Sequence, residues 1–203
     1  YTGAFSDKNV GTGKTVTITS SYSGADVSNY SVTDQSSTTA NITAKSLTVS
    51  GITASDKIYD GSTSATLDAS LVVYSGLVSG DTFDGTYTGA FSDKNVGTGK
   101  TVTITSSYSG ADVSNYSVTD QSSTTANITA KSLTVSGITA SDKTYDGSTS
   151  ATLDPSLVVY SGLVPGDTFN GSFTGVFSDA NVGTGKTVTI TSSYAGADVN
   201  NYT

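Results

Sequence analysis

Asn9-Val10-Gly11-Thr12-Gly13-Lys14-Thr15 ends like a phosphate-binding loop. Such a loop folds its backbone amides round a phosphate and hands it to the N-terminus of a following helix. The first glycine it requires falls on Lys8, and Thr15–Ser20 alternates as a strand, so the segment reads as a hairpin turn. Asp93, Asn95 and Gly97 sit at alternate positions, as in loops that ligate Ca²⁺ through carboxylate and amide oxygens. Asp81 and Asp84 make a second acidic loop, but no Glu is present to close a site bidentately, and Asn170 replaces Asp84 in a later copy. Asx-turn chemistry accounts for these residues. Structural Ca²⁺ stays as the alternative, and no cofactor is assigned.

Two further chemistries are weighed. A buried, uncharged Lys can form an amide with Asp or Asn, and Lys100, Lys131 and Lys143 are the candidates; ordinary solvated lysines explain them as well. Asn-x-Ser/Thr triplets begin at Asn41, Asn115, Asn127 and Asn170, which chance explains in a chain so rich in Ser and Thr. The chain has no His and no Cys, so neither a histidine base nor a thiolate nucleophile exists. No catalytic, cofactor-binding or metal residue is assigned, and the chain does not read as an enzyme.

The elements that position these residues are strands. Glu, Met and Arg are absent and β-branched residues dominate, which disfavours helices. Within Lys100–Ser106, Val102 and Ile104 face one way and Thr101, Thr103 and Thr105 the other. Phe83, Gly85, Tyr87, Gly89 and Phe91 share a face, which predicts rings lying over neighbouring backbone. Tyr116 with Val118 and Leu133 with Val135 repeat the alternation. Turn clusters separate the runs: Asp60-Gly61-Ser62, Ser79-Gly80-Asp81, Asp93–Gly97 and Ser109–Asp112. The spacing predicts about six or seven strands per unit, hence a sandwich or small barrel. Asp112, four residues before Tyr116, resembles the corner of immunoglobulin-like sandwiches, where a Tyr hydroxyl bonds back to nearby backbone. The same pair recurs as Asp26/Tyr30 and Asp198/Tyr202. The expected fold is all-β, a row of Ig-like β-sandwich repeats; another compact β fold or a β-solenoid is the alternative.

The row follows from duplication. Tyr1–Lys57 returns letter for letter as Tyr87–Lys143, an offset of 86 residues. Across that period only Ile58/Thr144, Ala69/Pro155, Ser79/Pro165, Asp84/Asn170 and Thr86/Ser172 differ, and a third pass opens at Phe173. The seams are placed after Ala44 and Ala130. They give 1–44 as the C-terminal part of a repeat, 45–130 as a complete repeat and 131–203 as a repeat lacking its last strand. The nearly direct passage from Asn127–Ala130 into Leu133–Val135 is expected to stiffen the joint. With no initiator Met and an opening in mid-repeat, the chain reads as a window on a longer polypeptide; neighbouring chains completing the end units head to tail is the alternative.

Lys57-Ile58-Tyr59-Asp60-Gly61-Ser62-Thr63, Gly80-Asp81, Phe91–Val102, Gly110-Ala111-Asp112 and Asn115-Tyr116 together resemble the YDG repeat. That repeat occurs in tandem in very large secreted bacterial proteins, including haemagglutinin-like adhesins. The resemblance implies a secreted, cell-surface stalk or fibre and carries no catalytic residues.

Composition agrees with a partner-poor scaffold. The formal net charge is −8, with 17 acids, all Asp, and nine bases, all Lys. An acidic, Arg-free surface argues against nucleic acid and anionic membranes. No apolar run is long enough to span a bilayer. Leu, Ile, Val and Phe total 42 of 203 residues, enough for a thin core. A near-copy array serves length or valency better than a single asymmetric site. The expected function is an extracellular structural stalk or fibre repeat of a bacterial surface adhesin, with each unit adding about 35–40 Å of length at roughly 3.3 Å per strand residue. The alternative is a module that grips glycans or a host protein by avidity. The expected partners are neighbouring repeats, with head-to-tail or lateral self-association and a host or surface ligand as further candidates.

Overall fold

A computed structural model describes all 203 residues, Tyr1–Thr203, and the fold is all-β. The strands are β1 Thr2–Phe5, β2 Gly11–Thr19, β3 Ser37–Ile42, β4 Lys45–Ser50, β5 Thr53–Ala54, β6 Lys57–Ile58 and β7 Ser64–Ala65. There follow β8 Leu67–Asp68, β9 Val73–Ser75, β10 Asp84–Phe91, β11 Gly97–Ser109, β12 Tyr116–Thr119 and β13 Ser123–Thr129. The remainder are β14 Thr134–Ser136, β15 Thr139–Ala140, β16 Ser150–Ala151, β17 Leu153–Asp154, β18 Val159–Ser161, β19 Asn170–Phe177 and β20 Val188–Ala195. Single 3₁₀ turns at Val27–Asn29, Val113–Asn115 and Val199–Asn201 are the only helical segments. The stretch between the two seams thus holds more strands than the spacing predicts. The surplus are two-residue pieces such as β5 to β8, too short to leave an alternating signature.

The chain forms two compact units that cut across the sequence periods. The first comprises Tyr1–Thr53, Leu67–Thr88 and Ile104–Ser122; the second comprises Ala54–Thr66, Gly89–Thr103 and Ser123–Thr203. Strands β10 and β11 give residues to both.

In the first unit, β1, β2 and β3 form an antiparallel sheet. A second sheet has the order β12-β4-β9. Its β4–β9 pair is antiparallel, but β12 lies parallel to β4, with Tyr116 opposite Lys45 and Thr119 opposite Thr48. Parallel neighbours need a long crossover, and the chain supplies one between Ser50 and Tyr116. The core clusters Leu47 and Val49 of β4 and Tyr116 of the neighbouring β12 with Phe83, Ile104 and Ile52. The rings stack edge-on about Phe83, with Tyr74 at 5.2 Å and Tyr116 at 5.8 Å between centroids. Gly85 makes room for them, since a Cβ there would stand 2.7 Å from the Tyr74 hydroxyl. The alternation in Phe83–Phe91 therefore does place rings over glycine backbone.

In the second unit the same aromatic arrangement is built round Phe169, with Tyr160 at 5.3 Å and Tyr202 at 5.6 Å. Strands β16, β19 and β20 form an antiparallel sheet, and β14 pairs with β18. Tyr59, Phe91, Val102, Ala126 and Ile128 of this unit are all nearly fully buried. Strand β13 supplies two of them. It runs antiparallel to β11 and parallel to β6, so that Ile128 lies opposite both Gly97 and Lys57. The strand at Asn127–Ala130 and the one after it belong to different sheets, because β14 turns to β18 instead of continuing the β13 ladder.

Candidate functional site

The turn between β10 and β11 carries Asp93, Lys94 and Asn95. Asp93 Oδ1 accepts from the Asn95 backbone N–H at 2.8 Å and from Lys100 Nζ at 2.7 Å. This Asx turn fixes the backbone that carries Lys94. Lys94 Nζ reaches Asp167 Oδ1 at 3.1 Å and Asp198 Oδ1 at 2.9 Å. Asp167 is the buried member, with 3% of its side chain exposed. Its other oxygen accepts from the hydroxyls of Tyr202 at 2.5 Å and Tyr59 at 2.8 Å. Asp198 Oδ2 accepts from the Thr168 N–H at 2.9 Å. The turn is also held by its backbone: the Val96 N–H donates to Asn201 Oδ1, and Asn201 Nδ2 donates to Asn95 Oδ1. A cation, two carboxylates, two phenols and two asparagines thus surround one turn, a lysine latch.

The same latch occurs in the first unit. Lys8 Nζ reaches Asp81 Oδ1 at 3.0 Å and Asp112 Oδ1 at 2.8 Å. Tyr116 donates to Asp81 Oδ2 at 2.6 Å, the Thr82 N–H to Asp112 Oδ2, and the Val10 N–H to Asn115 Oδ1. Partners and distances repeat to within about 0.1 Å. The Lys8 side chain is 67% exposed against 38% for Lys94. The difference is Tyr59, whose ring lies under Lys94 Nζ at 5.9 Å and edge-on to Tyr202.

The electrostatics follow from these contacts. Asp198 first, with Tyr59 and Asp167, holds the Lys94 ammonium well above the ordinary lysine range. Burial works against ionisation of Asp167, but the hydrogen bonds from Tyr202, Tyr59 and Lys94 outweigh it and keep the carboxyl below its usual range. Burial, reinforced by Asp167, pushes the Tyr202 hydroxyl up to about 12. Every shift favours the paired state: charged lysine, ionised aspartates and neutral tyrosines.

The Tyr-Asp-Gly run supports this network. Tyr59 is 1% exposed and covers the latch. Asp60 Oδ1 accepts the Ser62 N–H at 2.8 Å and Lys57 Nζ at 2.7 Å, closing the turn. Gly61 takes φ of +79°, a conformation that disfavours side chains, and a Cβ there would lie 2.9 Å from Val164 Cγ1.

The residues singled out by type and spacing are scattered through this framework. Gly11–Lys14 begins β2, and the Gly13 N–H is held by Asn41 Oδ1 at 2.8 Å, so that amide is already used. Asp81 belongs to the latch while Asp84 opens β10. Amide formation requires a neutral amine and a protonated acid. Lys100 instead faces Asp93, which Lys100 itself and the Asn95 N–H hold below the usual range, and Lys143 faces Asp146, pulled down to about 2 by that lysine. Lys131 bridges Tyr202 through its backbone. Of the Asn-x-Ser/Thr asparagines, Asn41, Asn115 and Asn127 hold backbone N–H groups, and Asn170 opens β19. Tyr116 does bond backbone through its hydroxyl, but its donor is the Val78 N–H on a distant segment, not a neighbour at a local corner.

Lys94 carries no local signal, because its carboxylates lie far along the chain, Asp167 being 73 residues downstream. The one trace is that Asp-Lys-Asn-Val and Gly-Ala-Asp recur together at the 86-residue offset.

The family model described as the YDG domain matches the chain three times, over residues 1–40, 43–126 and 129–203. No curated protein and no solved structure matches it.

Proposed function

The chain belongs to the YDG domain family over nearly its whole length, and from this premise we propose that it is an extracellular structural repeat of a bacterial surface adhesin, a segment of stalk or fibre without catalysis. The observation that carries the reading is the duplicated latch. The turn bears a lysine twice, at Lys8 and Lys94, with Ala180 at the third position, and the two lysines find their carboxylates beyond the following seam, at Asp81 and Asp112 and at Asp167 and Asp198. A network repeated with one geometry ties residues on either side of a seam, as an array under tension requires. The side chains that could do chemistry are spent on backbone and on one another. Secretion and the cell surface come with the adhesin reading.

The test is mechanical. Single-molecule stretching of a polyprotein of several 86-residue passes should give evenly spaced unfolding peaks, and K94A in each pass should lower the peak force. Featureless extension without peaks would contradict the stalk.

A second reading, a glycan- or protein-binding module acting by avidity, is favoured by one observation. Leu71 and Val73 are 76% and 53% exposed, and their counterparts Leu157 and Val159 are 74% and 55% exposed. A repeated apolar pair of this kind is the sort of contact that multivalency amplifies. Binding to host matrix or glycan arrays that rises with copy number and falls in L71D/L157D would support it; binding unaffected by those changes would remove it.

A further inference from the structure

In each unit a parallel strand pair joins an early strand of the 45–130 stretch to a late one. In the first unit β12 lies beside β4, from Tyr116 opposite Lys45 to Thr119 opposite Thr48. In the second unit β13 lies beside β6, with Ile128 opposite Lys57. The pattern recurs where the next repeat opens. Tyr202 bridges Lys131 in parallel, and these residues correspond to Tyr116 and Lys45.

Direction decides what such a pair does under tension. The chain enters β4 at Lys45 and leaves β12 at Thr119. Tension along the chain draws β4 towards its N-terminal end and β12 towards its C-terminal end. Because the strands are parallel, these pulls oppose each other along one axis. The ladder is sheared, and its hydrogen bonds share the load at once. An antiparallel hairpin pulled at its two open ends instead loses its bonds one at a time.

The β4–β12 pair is well held against sliding. Leu47, Val49 and Tyr116 are all buried, so the inner face of the pair is dry. The Tyr116 hydroxyl donates to Asp81 Oδ2 at 2.6 Å and accepts the Val78 N–H at 3.0 Å, which pins the start of β12. Beyond the last paired residues, the Gln121 side chain continues the pairing. Its Oε1 accepts the Ile52 N–H at 2.9 Å and its Nε2 donates to the Ile52 carbonyl at 2.7 Å. A side-chain amide thus bonds as a peptide would, tying the exit of β12 to the chain just past β4. In the second unit Asn127 makes a comparable tie. Its backbone N–H and its Nδ2 donate to the two carboxylate oxygens of Asp56, at 2.7 and 2.9 Å.

We propose that the β4–β12 pair, closed by Gln121 on Ile52, is a shear clamp that sets the force at which the repeat opens. The proposal rests on the stalk reading for its purpose and on strand direction for its mechanics. The clamp differs in kind from the lysine latch. A latch gathers side chains at one turn and resists pulls from several directions alike. The clamp is strong along its strands and weak across them.

The chain has no cysteine, so a pair of introduced thiols defines the pulling points. Ala44, Ser114 and Ser122 are exposed and lie outside both strands. A44C/S122C grips the entry of β4 and the exit of β12, and shears the pair. A44C/S114C grips both strands at the same end, and peels them apart. Single-molecule stretching of the intact 203-residue chain through each thiol pair should give a peak force about twofold higher, or more, in the sheared direction. This comparison leaves the clamp residues themselves unchanged. Q121A should lower the sheared peak and leave the peeling peak where it is, since peeling reaches Ile52 last. Equal forces in the two directions would overturn the clamp, as would a sheared peak that Q121A does not move. Regular peaks in end-to-end stretching without direction dependence would remove the clamp alone, whereas a featureless end-to-end trace would remove the stalk.

Discussion

Lys94 shows how much one side chain's role depends on what lies behind it. A lysine on a turn is ordinarily solvated, and exposed ion pairs contribute little. Here the ammonium faces a carboxylate that two tyrosine hydroxyls have already claimed. Removing a hydroxyl tests the network with the least disturbance. Tyr59→Phe keeps the ring and removes one donor to Asp167, and should cost about 1 kcal/mol in chemical denaturation. Tyr59→Ala also empties a buried site and should cost about 3–5 kcal/mol. The pH dependence has two sides. The folded-state values of Asp167, Asp198, Asp81 and Asp112 are depressed, so their stabilisation is full above the unfolded value of about 3.9 and is lost as pH falls through the folded values. Tyr202 is raised to about 12, so its contribution is full below about 10 and is lost between about 10 and 12. Thermal midpoints should therefore drop below about pH 4 and again above about pH 10, with the acid limb flattened in K8A/K94A.

At the scale of elements, the alternation of Thr with Val and Ile fixes which face of β11 is buried, and Val102 and Ile104 do turn inward. The register of that burial is local and so is legible. The partner of each strand is not. Tyr116–Thr119 reads as an ordinary alternating strand, and nothing within it announces a parallel neighbour at Lys45–Ser50. The two-residue strands are likewise invisible, because two residues cannot show a period. The latch is illegible for the same reason: turn chemistry identifies Asp93 correctly and says nothing of what Lys94 will reach. The duplicate sequence offers an internal control on burial. Val102 is fully buried on β11, which pairs with β13, whereas its counterpart Val188 lines a cavity and is half-buried. Val102→Ala should cost about 2–3 kcal/mol, and Val188→Ala less than half of that, when the two variants are compared by urea denaturation.

In the whole molecule a polar network recurs in near-identical passes, beside thin cores of Tyr, Phe, Val and Ile. Near-identity brings a hazard, since matching strands can exchange during folding. The central claim is that each lysine latch holds its own compact unit together. Differential scanning calorimetry of the chain and of K8A, K94A and K8A/K94A at neutral pH measures this most directly. Each single change should lower and broaden the transition by several degrees, and the double change should sum the two effects, since the latches share no residues. Four superimposable endotherms would show that the latches hold nothing, and would contradict the account.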